Sequence, residues 1–152
     1  MANSKIFIGW WECATCGQEF TGAMHLGLAK AWWSSAQRLP EENLDRLSAA
    51  NNLAGALHGQ GNYVSAETMY RELLAVQQRV LGSEHPNTLN SANNLATALK
   101  YQGKYGEVET MYRETLAVQQ RVLGSEHPHT LNTANNLAAC VRASRGISDS
   151  AK

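Results

Sequence analysis

The sequence predicts an all-α fold, an α-solenoid of stacked antiparallel helix pairs with about seven helices and no sheet. Three observations carry that expectation. The first is a period: LGSEHP stands at Leu81–Pro86 and again at Leu123–Pro128, and blocks 51–92 and 93–134 are identical at 32 of 42 positions with no gap. A fixed period of this size is what stacked repeats produce. The second is that each period holds two runs of apolar residues at helical spacing. The third is punctuation, since Gln60-Gly61, Leu81-Gly82 and His85-Pro86 fall where the chain must reverse.

The elements follow in order. Shifting the period back once more aligns Gly17-Gln18 with Gly59-Gln60, Trp32 with Leu74, Leu39 with Leu81, Glu42 with Glu84 and Leu47 with Leu89. Residues 1–44 therefore read as a degenerate N-terminal repeat or cap, with helices over about 4–16 and 21–38. All four tryptophans, Trp10, Trp11, Trp32 and Trp33, fall there. Their area suits capping the N-terminal end of the stack, with docking of a preceding domain as the competing use.

Repeat 1 (45–86) opens with a helix over 46–59, because Ala50, Leu53, Ala54 and Leu57 make one apolar stripe. Gly61 then closes it in the left-handed conformation. A second helix over 63–81 follows, with Ala66, Tyr70, Leu73, Leu74, Val76, Val80 and Leu81 inward and Glu67, Arg71, Glu72 and Gln78 on its surface. His85-Pro86 makes the elbow, since the residue before proline is pushed out of the α region. Thr88 or Asn87 is expected to cap the next helix.

Repeat 2 (87–128) reuses this plan with helices over 88–101 and 105–123. Val108 replaces Ala66 where two helices approach closely, and Gly106 replaces Val64. Residues 129–144 supply the first helix of an incomplete repeat 3, over 130–143, and 145–152 read as a flexible tail. Leu131, Leu137, Ala138 and Val141 form a stripe with no second helix to cover it. The chain thus reads as a piece of a longer array, or as one that self-associates through that end.

Composition narrows the function. A formal net charge of +0 gives no electrostatic case for nucleic acid or an acidic membrane. No apolar run approaches the roughly 20 residues a bilayer span needs. The apolar run Ile6–Trp11 is short for a signal peptide. Three cysteines, an odd number, do not suggest a disulfide framework, so a cytoplasmic setting is expected. No catalytic triad, phosphate loop or carboxylate pair is present, which argues against an enzyme and against a cofactor.

Cys13 and Cys16 are the one constellation hinting at other chemistry. A CxxC supplies half of a four-ligand zinc set, and neither Cys140 nor His25 completes it. The pair also lacks the βαβ context of a redox motif, so two small helix-lining cysteines is the better account. His85 and His127 stand one repeat apart and are too distant to share an ion.

Helix-turn-helix units with the core NNLAxxLxxQGxYxxAExxYRExL resemble the tetratricopeptide family, and the 42-residue period with its LGxxHPxT elbow resembles the kinesin-light-chain-like subgroup. The resemblance covers 45–144 strongly and 4–44 weakly. It implies a right-handed solenoid whose first-type helices line a concave surface that binds extended peptides. Helical geometry puts positions 48, 51, 55 and 58 on a flank roughly 100–150° from the apolar stripe.

Ladders of equivalent residues then mark the expected binding positions. One runs Asn51, Asn93, Asn135; another runs Ser48, Asn90, Asn132. Amides carry donors and an acceptor, so they can pair with any peptide main chain. Asn52, Asn94 and Asn136 form a secondary row, and all of these amides could instead tie one helix to the next. A third ladder, Cys16, His58, Lys100, Arg142, is cationic or able to become so over its last three members, which favours an acidic segment, the alternative being a solvated, variable surface; Tyr101 beside it either adds a stacking surface or simply packs. The expected function is a non-catalytic interaction scaffold for a peptide or partner protein. The alternatives are a metal- or redox-dependent protein using Cys13 and Cys16, and a structural spacer or sensor segment of a larger multidomain protein.

Overall fold

The computed structural model describes residues 22–150, and the expected helix over 4–16, with Trp10, Trp11, Cys13 and Cys16, lies outside them. Six helices make up the described residues, with no strand: α1 Gly22–Ala36, α2 Leu44–Gly59, α3 Tyr63–Val80, α4 Pro86–Tyr101, α5 Tyr105–Val122 and α6 Pro128–Ser150. Each helix packs on the next, and α2 also touches α4. The chain is therefore a stack in which α2, α4 and α6 are equivalent first helices and α3 and α5 are equivalent second helices.

The elbows are built by histidine. The His85 Nδ1 accepts the Asn87 N–H at 3.1 Å, and the His127 Nδ1 accepts the His129 N–H at 3.2 Å. His85 is thus the cap of α4, not Asn87 or Thr88, and Pro86 is already helical. Proline at the first helical position lacks an N–H that would be orphaned there anyway. Thr88 is buried instead. Just before each elbow, Gly82 and Gly124 take φ of 92° and 91°, a region that costs a residue with a Cβ.

The last helix also runs further than the sequence suggested, through Ser150 where a tail was expected from 145. No proline follows Ala143, and Gly146 does not take the positive φ that closes the earlier helices. The Ser144 hydroxyl bonds back to the Val141 carbonyl at 3.0 Å.

Small residues set the helix separations. Ala49, Ala54, Ala66, Ala96 and Ala98 are fully enclosed, and larger side chains fill between them, including Leu95, Leu99, Tyr70 and Tyr112. Val108 replaces Ala66 and is equally buried. Leu99, at 0 % exposure, is a site where truncation to alanine costs about 2–5 kcal/mol.

One surface expectation fails. Glu67 is buried, not exposed. Gln102 Nε2 donates to its Oε2 at 2.7 Å, Lys104 Nζ lies 2.8 and 2.9 Å from its two oxygens, and Arg71 donates to Oε1. The lysine and the two other donors hold the Glu67 carboxyl at about 2, against the ordinary 4.5. Arg71 also reaches Glu107 at 2.6 Å, so the cluster joins α3 to the α4–α5 turn and to α5. The exposed pairs Arg79–Glu41 and Arg121–Glu84 use arginines one repeat apart but glutamates that are not period partners, and contribute far less each.

Candidate functional site

Two recesses open beside the first helices, and the 42-residue period relates them. The first, about 270 Å³, is bounded by Leu44, Leu47, Ser48, Asn51, Gln77, Leu81, Asn87 and Asn90, with Asn52 and Ser91. The second, about 160 Å³, is bounded by Pro86, Leu89, Asn90, Asn93, Gln119, Leu123 and His129, with Asn87. Nearly every wall of one is the repeat partner of a wall of the other: Leu47 with Leu89, Ser48 with Asn90, Asn51 with Asn93, Gln77 with Gln119, Leu81 with Leu123. The walls are amides, hydroxyls and leucines, and the one ionisable side chain among them is His129.

Gln77 and Gln119 were not singled out by the sequence. Both are buried, at 4 % and 2 % exposure, and the Oε1 of each lacks a hydrogen-bond partner among the described residues. An unpaired buried amide oxygen costs about 1–3 kcal/mol, so each keeps an unmet demand for a donor at the wall of its recess. Their signal in the sequence is recurrence at the same offset on an otherwise apolar face.

The asparagines divide their work. Asn94 Nδ2 donates to Asn51 Oδ1 at 3.4 Å, and Asn93 Nδ2 donates to Thr133 Oγ1 at 2.9 Å. Both bonds tie one first helix to the next, as the alternative reading of the amides anticipated. Asn93 Oδ1 is nonetheless buried and without a partner among the described residues. Asn52 turns inward on its own helix, donating to the Ser48 carbonyl at 2.8 Å. Asn90, Asn132 and Asn135 are exposed, and Asn136 is half-buried.

The cationic ladder is uneven. Lys100 is half-buried and Arg142 is exposed. His58 instead packs edge-on against Tyr63 and Tyr101, each centroid 5.2 Å away, while those two rings stack at 4.9 Å. Burial lowers the His58 pKa below 6.5, because the charged imidazolium is the form that loses most hydration. At neutral pH this position presents an aromatic edge, and the charge resides on Lys100 and Arg142. Tyr101 keeps 60 % of its surface exposed.

Between these ends, Gly55 and Thr97 occupy one position. The Thr97 hydroxyl lies 3.1 Å from the Tyr112 hydroxyl. A Cβ at Gly55 would stand 3.5 Å from the Tyr70 hydroxyl. Cys140 takes the fully buried place of Ala98, with burial the main cause raising its thiol pKa. Among the described residues no group of three or more histidines, cysteines and carboxylates could hold a metal ion, and no helix is long and apolar enough to cross a membrane.

Comparison with known proteins fits this geometry. A family model described as tetratricopeptide repeat matches residues 45–120. A Podosopora anserina protein of kinesin light chain type, built from nearly identical TPR-like repeats, superposes with a TM-score of 0.74 at 29 % identity, covering 82 % of this chain and 59 % of that one. A single-substitution variant of that protein gives the same values. BtubC (BKLC) from P. vanneervenii superposes at 0.67 with 22 % identity, over 77 % of this chain and 46 % of that one, a likeness of fold. A search of curated proteins finds no match. This chain therefore spans less than two thirds of the length of these solved neighbours. The period, the histidine elbows, the alternating helix pairs and a match over half the sequence converge: the chain belongs to the tetratricopeptide repeat family, on its kinesin-light-chain-like branch.

Proposed function

We propose that this chain is a non-catalytic protein–protein interaction scaffold that takes an extended peptide across α2, α4 and α6. The observation that carries the reading is the recurrence of one amide-walled recess per repeat, with Gln77 and Gln119 each holding an unmet acceptor. A peptide main chain offers donors and acceptors at a regular interval, so a wall of amides at a regular interval can meet it without reading its sequence. Exposed Asn90, Asn132 and Asn135 extend that row.

Charge then selects among peptides. Lys100 and Arg142 stand at equivalent places on α4 and α6, and the recess walls carry no carboxylate. An acidic segment is the ligand that suits them, with each charged contact contributing on the order of 1.5–3 kcal/mol. Tyr101 and Tyr63 offer a stacked surface beside Lys100.

Fluorescence anisotropy with a panel of labelled peptides of matched length and acidic, neutral or basic composition tests the reading. The expected order is acidic, then neutral, then basic, with Lys100→Ala erasing the difference between acidic and neutral. Peptides that all fail to bind, or that bind Lys100→Ala and Asn93→Ala as well as the parent, would refute it.

A further inference from the structure

A second series of recesses lies on the other side of the first helices. At about 100° per residue, Thr88 and Ala92 point roughly 130° away from the Asn87, Asn90 and Ser91 that face the first amide recess, and Leu89 stands between the two series, in a wall of each. One such recess sits between α1 and α3 over α2, with Leu47, Ala50, Met69 and Val76 in its walls. The next sits between α3 and α5 over α4, with Leu89, Ala92, Met111 and Val118 at the equivalent places.

Their sizes differ, about 70 Å³ against 200 Å³, and two side chains account for it. In the first, the Arg46 guanidinium lies 5.9 Å from the centre of the Trp33 ring and donates to the Leu39 carbonyl at 2.8 Å. The period places Ala75 where Trp33 stands and Thr88 where Arg46 stands. The plug of the first recess is therefore missing from the second. What remains there is Thr88, 2 % exposed, with a hydroxyl that has no partner among the described residues. Glu114 lies on its rim, at the period-equivalent place of Glu72 in the first recess.

We propose that the recess between α3 and α5 is a docking site for a partner protein that inserts an arginine carried beside an aromatic residue. The chain itself displays the fit one repeat earlier, where an indole lies against the apolar walls and a guanidinium crosses it toward the Leu39 carbonyl, in a recess whose walls also carry Glu41 and Glu72. In the open recess Leu74 and Met111 take the ring, Glu114 attracts the cation, and the Thr88 hydroxyl accepts an N–H. Arginine and tryptophan are the residues that most often anchor protein interfaces, and a guanidinium over an aromatic face adds a cation–π attraction. This site meets the amide row only at Leu89 and does not depend on it.

The test uses the intact chain and the dipeptide N-acetyl-Trp-Arg-amide, followed through the methyl resonance of Met111 with Met24 as a distant reference. A saturable shift confined to Met111 is expected, with binding at least fivefold weaker for the Trp-Gln analogue. Glu114→Lys, an exposed change, should weaken the dipeptide at least tenfold. The double variant Ala75→Trp/Thr88→Arg, which installs the plug, should fold with the parent's helical dichroism and abolish the shift. No Met111 shift, equal binding of the Trp-Gln analogue, or full binding by Glu114→Lys would overturn the proposal, whatever the plugged variant does.

Discussion

Lys104 reaches back across a repeat to chelate Glu67, its Nζ 2.8 Å from one carboxylate oxygen and 2.9 Å from the other. The carboxylate is buried while the lysine remains partly hydrated, so the lysine is the donor whose loss leaves a buried charge short of a partner. Glu67 titrates near 2 in the folded chain against 4.5 ordinarily, a difference on the order of 3 kcal/mol. Because the folded value is the lower one, this stability is complete above 4.5 and disappears as the pH falls toward 2. Lys104→Met should therefore raise the pH midpoint of acid unfolding and lower stability at pH 7 by about 1–3 kcal/mol. Chemical denaturation at pH 7 and pH 3 checks it: the gap between variant and parent should narrow at the lower pH.

The elbow histidines should behave as caps. His85→Ala removes the acceptor for the Asn87 N–H and should cost about 1 kcal/mol. His85→Asn offers an acceptor at similar reach and should stay close to the parent. If both variants melted alike, the imidazole would matter for packing and not for capping.

Gly55 is an opportunity left open by the first repeat. Its partner Thr97 bonds the hydroxyl of Tyr112 and the carbonyl of Asn93, and a Cβ at Gly55 meets only ordinary contact. Gly55→Thr should stabilise by about 1 kcal/mol, from helix propensity and the new bond to Tyr70. Gly55→Val, of the same shape without the hydroxyl, should gain less. Thermal unfolding of the pair separates the two contributions.

His58 adds a pH signature to binding. Burial depresses its pKa, so folding favours the neutral ring: the chain loses stability as the pH falls through 6.5 and below. Charging His58 while a ligand is bound places a third cation beside Lys100 and Arg142. Affinity for an acidic peptide should therefore rise at pH values below 6.5, and His58→Gln should flatten that rise while leaving binding at pH 8 within about twofold. Anisotropy titrations between pH 5 and 8 read both effects.

The solenoid was legible because its period is nearly literal. Helices α2 to α5 begin and end within two residues of the sequence-based expectation, since glycine and proline mark their ends. Contacts between repeats were not legible in the same way. Glu67 looks like a surface residue when α3 is read alone, and only its neighbours Gln102 and Lys104, 35 and 37 residues further on, bury and neutralise it. Gln77 and Gln119 stand on apolar faces for a similar reason, enclosed by helices from an adjoining repeat. The ladder of asparagines was visible as a row, but its split between Asn51–Asn94 bracing and exposed Asn90 depends on crossing geometry.

Near-identity between blocks also creates a problem of address. Helices α3 and α5 share the run ETMYRE and nearly all of their C-terminal halves, so a folding chain that seats α5 on α2 in place of α3 satisfies much of the same apolar surface, and slips of one unit are a characteristic hazard of repeat proteins. The few unlike positions are what tell the copies apart. Val108 carries two more methyl groups than the Ala66 niche was shaped for, and Thr115 brings a hydroxyl to a place where Leu73 is buried in the core. Lys104 completes the assignment, because it meets Glu67 only when each helix has found its own neighbour.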